Sequence, residues 1–301
     1  MKKYLPLLLG ILLPVGLPIP ASLRPAPLKI VTTIFPLREF AKEIAADRGE
    51  VSLLLPPGAG VHTWQPRASD ILLLSSADLF IQVGAGLEPW IHGLLKSISS
   101  PKLRVLAVAD SLPLEGHQDE DDRKTELDPH VWLDFGLDMV IADLIAAELT
   151  EIDPTGASFF QAGAARLKDK LQKLDAAYFL GLGRCASKAL VIGGHAAFGY
   201  MAKRYGLEQL SLSGLSPDAE PLPSRLMSAI VWGKEHKVRA VFTEANANPQ
   251  MAEVLAKELR AEVLVLHPGG NLNRKEWESG RSFFDIMEEN LVNLKRGLSC
   301  E

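Results

Sequence analysis

Pro154-Thr-Gly-Ala-Ser-Phe-Phe160-Gln-Ala-Gly-Ala164-Ala-Arg-Leu167-Lys-Asp-Lys-Leu171-Gln-Lys-Leu174-Asp-Ala-Ala-Tyr178-Phe-Leu180 decides the architecture. Phe160, Ala164, Leu167, Leu171, Leu174 and Tyr178 recur at three- and four-residue spacing, the period of a helix that buries one face. No Gly or Pro interrupts the run between Gly163 and Gly181, which predicts one long helix. A flexible hinge would read instead as a short Gly-, Ser- or Pro-rich linker, so limited movement is expected between whatever the helix joins.

On its N-terminal side, Ile30 to Phe35, Val51 to Leu55, Leu79 to Val83 and Leu103 to Val108 are apolar runs of strand length. Between them Phe40-Ala41-Ile44-Ala45, Ile71-Leu72-Leu74 and Trp90-Ile91-Leu94-Leu95 carry helical spacing. The alternation starts again at Ala189 to Ile192, Gln209 to Leu212, Arg239 to Phe242 and Glu262 to Leu266. Continuous apolar strands alternating with helices predict parallel sheets covered on both faces. The expected fold is therefore α/β with two lobes, each a mainly parallel sheet flanked by helices. The first lobe is placed at 28–153, the connecting helix at 154–184 and the second lobe at 185–301, with a ligand site in the cleft. The 301 residues suffice for two cores.

Composition narrows the function. A formal net charge of −5 opposes a nucleic-acid surface, which needs clustered Lys and Arg around phosphates. Met1-Lys2-Lys3 followed by apolar Tyr4 to Ile19 reads as the basic and hydrophobic regions of a signal peptide. A membrane span needs about 20 apolar residues, and Pro6, Pro14, Pro18 and Pro20 interrupt a shorter run. Cleavage is placed near Ala21, so 1–21 is the expected signal peptide. No Cys near its end offers a lipid attachment point, and a soluble periplasmic product is expected. Export permits a disulfide between Cys185 and Cys300, but two unpaired thiols satisfy the sequence equally. Glu115 to Glu126 is polar and acidic, with nothing to bury, and is expected to be a solvated loop.

Open parallel sheets bind ligands outside the carboxyl ends of their strands, and four of the seven histidines fall there. His62 follows Val51 to Leu55 through Pro-Pro-Gly-Ala-Gly, and His195 follows Ala189 to Ile192 through Gly193-Gly194. His267 ends Glu262 to Leu266, and His130 follows Leu103 to Val108 and the acidic stretch. Any one alone is an ordinary loop histidine, but four neutral imidazoles complete a Zn²⁺ tetrahedron with no open position. An imidazole-rich site favours Zn²⁺, Cu²⁺ or Ni²⁺, with availability selecting among them, whereas carboxylate-rich sites suit Mn²⁺ or Mg²⁺. His92 and His236 lie inside helical runs and read as packing or surface residues. His117 beside Asp119 to Asp122 reads as part of a solvated loop, a loose metal-collecting role being the lesser reading. Glu244, at the end of Arg239 to Phe242, has three readings: ligand, helix cap, or a carboxylate that orients a ligand histidine from behind. The last is preferred, because four neutral imidazoles leave the double charge uncompensated.

Four segments carry a family resemblance: Val61-His62-Thr-Trp-Gln-Pro66-Arg-Ala-Ser-Asp70, Asp128-Pro-His130-Val-Trp-Leu-Asp134, Gly193-Gly-His195-Ala-Ala-Phe-Gly199-Tyr-Met-Ala-Lys-Arg-Tyr-Gly206-Leu, and Gly214-Leu-Ser-Pro-Asp-Ala-Glu220-Pro. Through them nearly the whole mature chain resembles the zinc- and manganese-specific substrate-binding proteins of ABC importers, the high-affinity zinc-uptake type in particular. The resemblance implies metal ligation by His62, His130 and His195, two lobes on a rigid helix, and docking on an inner-membrane permease driven by a cytoplasmic ATPase. A monomer is expected. The sequence departs from the family where an Asp-Pro pair is usual and His267-Pro268 stands. A fourth imidazole there favours zinc; otherwise water or Glu244 completes the shell. Val61 and Gly60 replace the usual Pro and acid before the first histidine, and the loop between the first two ligands is short and acidic where many members have a long His-rich one.

The working expectation is that His62 and His130 close with His195 and His267 around one Zn²⁺, with affinity falling as pH drops through about 6.5. Alternatives are a manganese-binding member of the same family, an adhesin or periplasmic metal chaperone on the same fold, and a zinc hydrolase with Glu244 as base. Against the hydrolase, no His-Glu-x-x-His segment is present. Gly84-Ala85-Gly86 lacks a third glycine and reads as a turn, not a dinucleotide fingerprint.

Overall fold

The computed structural model describes residues 26–118, 125–216 and 222–301. The expected signal peptide, most of the acidic stretch after Gln118 and the end of the Gly214 segment lie outside them. Among the described residues no helix is long and apolar enough to cross a membrane.

The chain opens with β1 (Leu28–Thr32), α1 (Phe35–Ala45), β2 (Gly49–Leu53), α2 (Ala68–Ser76), β3 (Leu79–Gln82), α3 (Ile91–Lys96) and β4 (Arg104–Ala107). The first strand ends before Phe35, where the sequence reading had carried it. Pro36 stands in the first turn of α1, where its fixed φ suits a helix and its missing N–H costs nothing. The four strands pair in parallel in the order β2-β1-β3-β4. An antiparallel hairpin, β5 (Gly116–Gln118) and β6 (Thr125–Leu127), interrupts the path to α4 (Phe135–Ile152).

After a 3-10 turn at Pro154–Gly156 comes α5 (Ala157–Leu182), the long helix expected from the apolar stripe. All six stripe residues are at least 95% buried. Gly163 is where α5 crosses α1, because a Cβ there would stand 2.5 Å from the Ile44 carbonyl oxygen.

The second half runs β7 (Ala189–Ile192), α6 (Gly199–Tyr205), β8 (Glu208–Ser211), α7 (Pro223–Glu235), β9 (Ala240–Glu244), α8 (Gln250–Leu259), β10 (Glu262–Leu266), α9 (Arg274–Glu278) and α10 (Phe283–Gly297). Its sheet is also parallel, in the order β10-β9-β7-β8. Cys185 and Cys300 form a disulfide that ties the end of α5 to the end of α10.

The central strands β3, β7 and β9 are buried on both faces, and alternate residues divide between the two sides. Ile30, Leu79 and Ile81 join Leu190, Ile192, Ala240 and Phe242 in one core shared with α1, α4, α5 and α10. Val31 and Phe80 point the other way, into a small cluster with Leu74, Trp90 and Leu94. Val191 and Val241 face Ala229, Ala252 and Leu255. The shared core makes the two sheets and α5 one packed body.

Candidate metal centre

In each sheet the chain reverses its direction of winding once, and a crevice opens at that point beyond the strand ends. In the second sheet it lies between β7 and β9, so the residues leaving those strands, His195 and Glu244, face each other. Glu244 Oε1 accepts the backbone N–H of His195 at 2.8 Å and stands 2.7 Å from its Nδ1. The ring contact is off the hydrogen-bond axis, leaving Nδ1 without a directed partner. Two lone pairs at 2.7 Å would repel, so Nδ1 carries the proton and Nε2 keeps its lone pair. In the first sheet the corresponding crevice, between β1 and β3, is filled by buried Glu88. Its carboxylate accepts from Thr33 Oγ1 at 2.6 Å and from the backbone N–H groups of Val83 and Gly84 at 2.9 and 3.0 Å. The first lobe therefore presents its histidines from other loops: His62 from the connection after β2, and His130 from the segment after β6.

His130 is 1% exposed. Asp128 Oδ1 accepts both its backbone N–H, at 2.9 Å, and its ring Nδ1–H, at 2.8 Å, so here too Nε2 has a free lone pair. The segment is anchored to the second lobe. Tyr200 of α6 donates to the Asp128 carbonyl at 2.9 Å, while Arg204 pairs with Asp134 at 2.9 Å and with both carboxylate oxygens of Asp175 on α5 at 2.7 Å. Helix α6 begins four residues after His195, so these bonds hold His130 and His195 at a set separation.

That separation is 3.3 Å between the two Nε2 atoms. His62 completes the group, its ring centroid 5.7 Å from that of His130 and 6.0 Å from that of His195. One ligand atom from each of the three lies within 4.8 Å of the others. Burial, reinforced by the neighbouring His130 and His195, pushes the His62 pKa down to about 3. Burial also lowers that of His130, against the opposing pull of Asp128. Buried imidazoles with facing lone pairs repel one another, and a cation placed among them removes that repulsion. Two nitrogens on one tetrahedral Zn²⁺, at about 2.0–2.1 Å each, stand roughly 3.3–3.4 Å apart, which matches the Nε2 pair.

His267 lines the same cavity of about 400 Å³, with Trp132, Asn271 and Leu272, but is not in the three-nitrogen group. Its Nδ1 accepts the backbone N–H of Gly269 at 2.9 Å, which puts the ring proton on Nε2, 3.5 Å from Glu276 Oε2. As placed, neither ring nitrogen offers a lone pair to the cavity. Glu244 stands beside His195, on its backbone N–H and Nδ1. His117 lies elsewhere, beside Ala196, Gln209 and Trp232; His92 is exposed on α3, and His236 stacks on Trp232 at 3.9 Å.

Several residues of this centre were not singled out in the sequence. Asp128 had a local signal: an Asp two residues before a histidine forms a side-chain turn that accepts its backbone N–H. Tyr200, Arg204, Asn271 and Asn290 had none, because their partners are distant in the chain.

Residues 30–297 match the family described as zinc-uptake complex component A, periplasmic. The chain is 34% identical over 285 residues to the zinc-binding protein AdcA of Streptococcus pyogenes serotype M3, covering 89% of this chain but only 55% of that longer protein. It is 34% identical over 280 residues to the high-affinity zinc uptake system protein ZnuA of Bacillus subtilis, covering 90% of this chain and 88% of that one. Among solved structures it is similar to the Zn(II)-bound ZnuA-like domain of Streptococcus pneumoniae AdcA, with a TM-score of 0.77, 33% identity and coverage of 91% and 99%.

Proposed function

The chain belongs to the periplasmic zinc-uptake component A family, whose members are metal-binding transport proteins and not enzymes, and on that premise we propose that it captures Zn²⁺ in the periplasm and delivers it to an ABC-type permease in the inner membrane with its cytoplasmic ATPase. The observation that carries the metal assignment is the 3.3 Å separation of the His130 and His195 Nε2 atoms, with a carboxylate beside the Nδ1 of each ring. His62, His130 and His195 are the proposed ligands, with a water molecule in the fourth position; Asp128 and Glu244 hold two of the rings and supply negative charge. The ion is cargo in this reading, which rests on the zinc-uptake relatives. Three imidazoles favour Zn²⁺ over Mn²⁺, whose sites are richer in carboxylate. Zinc-named relatives across nearly the full chain support the transport role, and the basic-then-apolar N-terminus supports export.

The experiment is metal analysis with competitive titration of Zn²⁺ and Mn²⁺ on the mature wild type, His195→Ala and His267→Ala. One Zn²⁺ per chain is expected. His195→Ala should weaken it by more than the roughly 10–100-fold typical of residues behind the ligands, and His267→Ala by less than that variant. A preference for Mn²⁺ refutes the zinc assignment; equal losses in the two variants make His267 a ligand.

A further inference from the structure

His62 sits in a connection that runs from the end of β2 at Leu53 to the start of α2 at Ala68 without a strand or helix. Its first part, Pro56-Pro57-Gly58-Ala59-Gly60, holds two glycines, one of them at φ +85. Such a segment loses much conformational freedom when it is held in one place. Its own lobe holds it through the Leu54 N–H on the Thr32 carbonyl at 2.8 Å, Trp90 Nε1 on the Val61 carbonyl at 2.8 Å and Trp64 packed edge-on against Trp90. The second lobe adds three hydrogen bonds to the Pro56–Ala59 part.

The loop between β10 and α9 crosses the cleft and bonds to the first lobe at five points. Trp132 Nε1 donates to the Pro268 carbonyl at 2.7 Å, and the backbone N–H of Phe35 donates to Gly270 at 2.9 Å. The other three reach the His62 connection itself. The N–H of Gly58 donates to the Leu272 carbonyl at 2.7 Å, and Asn271 Nδ2 donates to the carbonyls of Pro56 and Ala59 at 2.8 and 2.9 Å. Asn271 Oδ1 accepts the Leu272 N–H at 2.9 Å, which orients the amide with its nitrogen toward the two carbonyls.

Both ends of the crossing loop are pinned. Asn290 bonds the N–H and carbonyl of His267 at 2.8 and 2.7 Å, and Asn273 and Glu276 form a reciprocal cap at the start of α9. We propose that Asn271 is a positioning residue for metal capture: its amide fixes the Pro56–Ala59 turn from the opposite lobe and so places the His62 imidazole against His130 and His195. This rests on the reading of His62 as a zinc ligand. Ordering the loop before the ion arrives removes a cost that binding would otherwise bear.

The test is a double-mutant cycle on zinc affinity, using wild type, Asn271→Leu, His62→Ala and the pair. Asn271→Leu keeps the side-chain size and removes both donors. It should weaken binding about 10–100-fold, mainly through faster release, while Asn271→Gln, which keeps the N–H donors, recovers part of the loss. If Asn271 acts through His62, the double variant is within about threefold of His62→Ala; a general loss of fold would add in full. Asn271 is partly exposed, so melting near wild type is expected, and should Asn271→Leu melt far lower, Asn271→Gln carries the cycle. Additive losses, or wild-type affinity in Asn271→Leu, overturn the proposal. A wild type that holds no zinc brings down the zinc reading and this inference together.

Discussion

Replacing Gly194 by Ala should disable the metal centre without touching a ligand. Gly194 has no positive φ, so alanine is allowed by the backbone, and any effect comes from the added methyl. That methyl would stand 2.1 Å from Glu244 Oε1 and 3.1 Å from its Cδ. Reaching ordinary contact moves the carboxylate oxygen by about 1 Å or more, since packed heavy atoms sit about 3.5 Å apart. The 2.8 Å bond to the His195 N–H and the 2.7 Å approach to Nδ1 cannot survive that shift. Losing the carboxylate behind a ligand histidine typically costs 10–100-fold in metal affinity, or about 1.4–2.7 kcal/mol. The assay is competition for Zn²⁺ against a fluorescent chelator at pH 7, with thermal melting as the check on folding. Because the methyl acts through Glu244, Gly194→Ala should add little on a Glu244→Ala background. A folded Gly194→Ala that binds zinc within threefold of wild type, or losses that add in full, would refute the reasoning.

Three further outcomes are expected. Burial holds His62 at a pKa of about 3, against about 6.5 when unfolded. Between those values the unfolded chain takes up a proton that the folded one refuses, so metal-free stability should fall as pH is lowered through that window. Urea unfolding of the metal-free protein from pH 7 to 4, compared with His62→Ala, reads this directly, and equal pH dependence in the two would count against it. Asp138 is fully buried with neither carboxylate oxygen bonded, and burial, with Asp134 nearby, pushes its pKa well above the usual range. The folded state then holds a proton the unfolded state releases, a stabilisation present at low pH and lost as pH rises. Asp138→Asn, which cannot ionise, should therefore gain stability relative to wild type between pH 5 and 9 in urea unfolding. Reducing the Cys185–Cys300 disulfide, which spans 115 residues, should lower unfolding free energy by about 2–4 kcal/mol and leave zinc affinity within a few-fold, because its cysteines are not among the residues lining the metal cavity.

What was legible in the sequence is whatever a local period or a short spacing encodes. The alternation of strands and helices and the 26-residue α5 were readable because each element buries a face whose repeat is written in consecutive residues. His62 and His195 were readable as candidates because they follow the carboxyl ends of parallel strands, where ligand crevices open; His130, beyond an antiparallel hairpin, was grouped with them from its place after Leu103 to Val108. The first strand ends at Thr32, three residues short of the expected Phe35, because Pro36 stands in the first turn of α1, a local rule outweighed in the reading by hydrophobic continuity. The tertiary structure alone decided the rest. Whether His267 offers a lone pair depends on the Gly269 N–H two residues on and on Glu276 across a turn, and no pattern marks which ring nitrogen a backbone donor takes. Cys185 meets Cys300, Arg204 meets Asp134 and Asp175, and Asn271 meets Pro56 and Ala59 only after both sheets have packed on one core. Periodicity records which face of an element is buried; it does not record which distant atoms that burial brings within hydrogen-bonding distance.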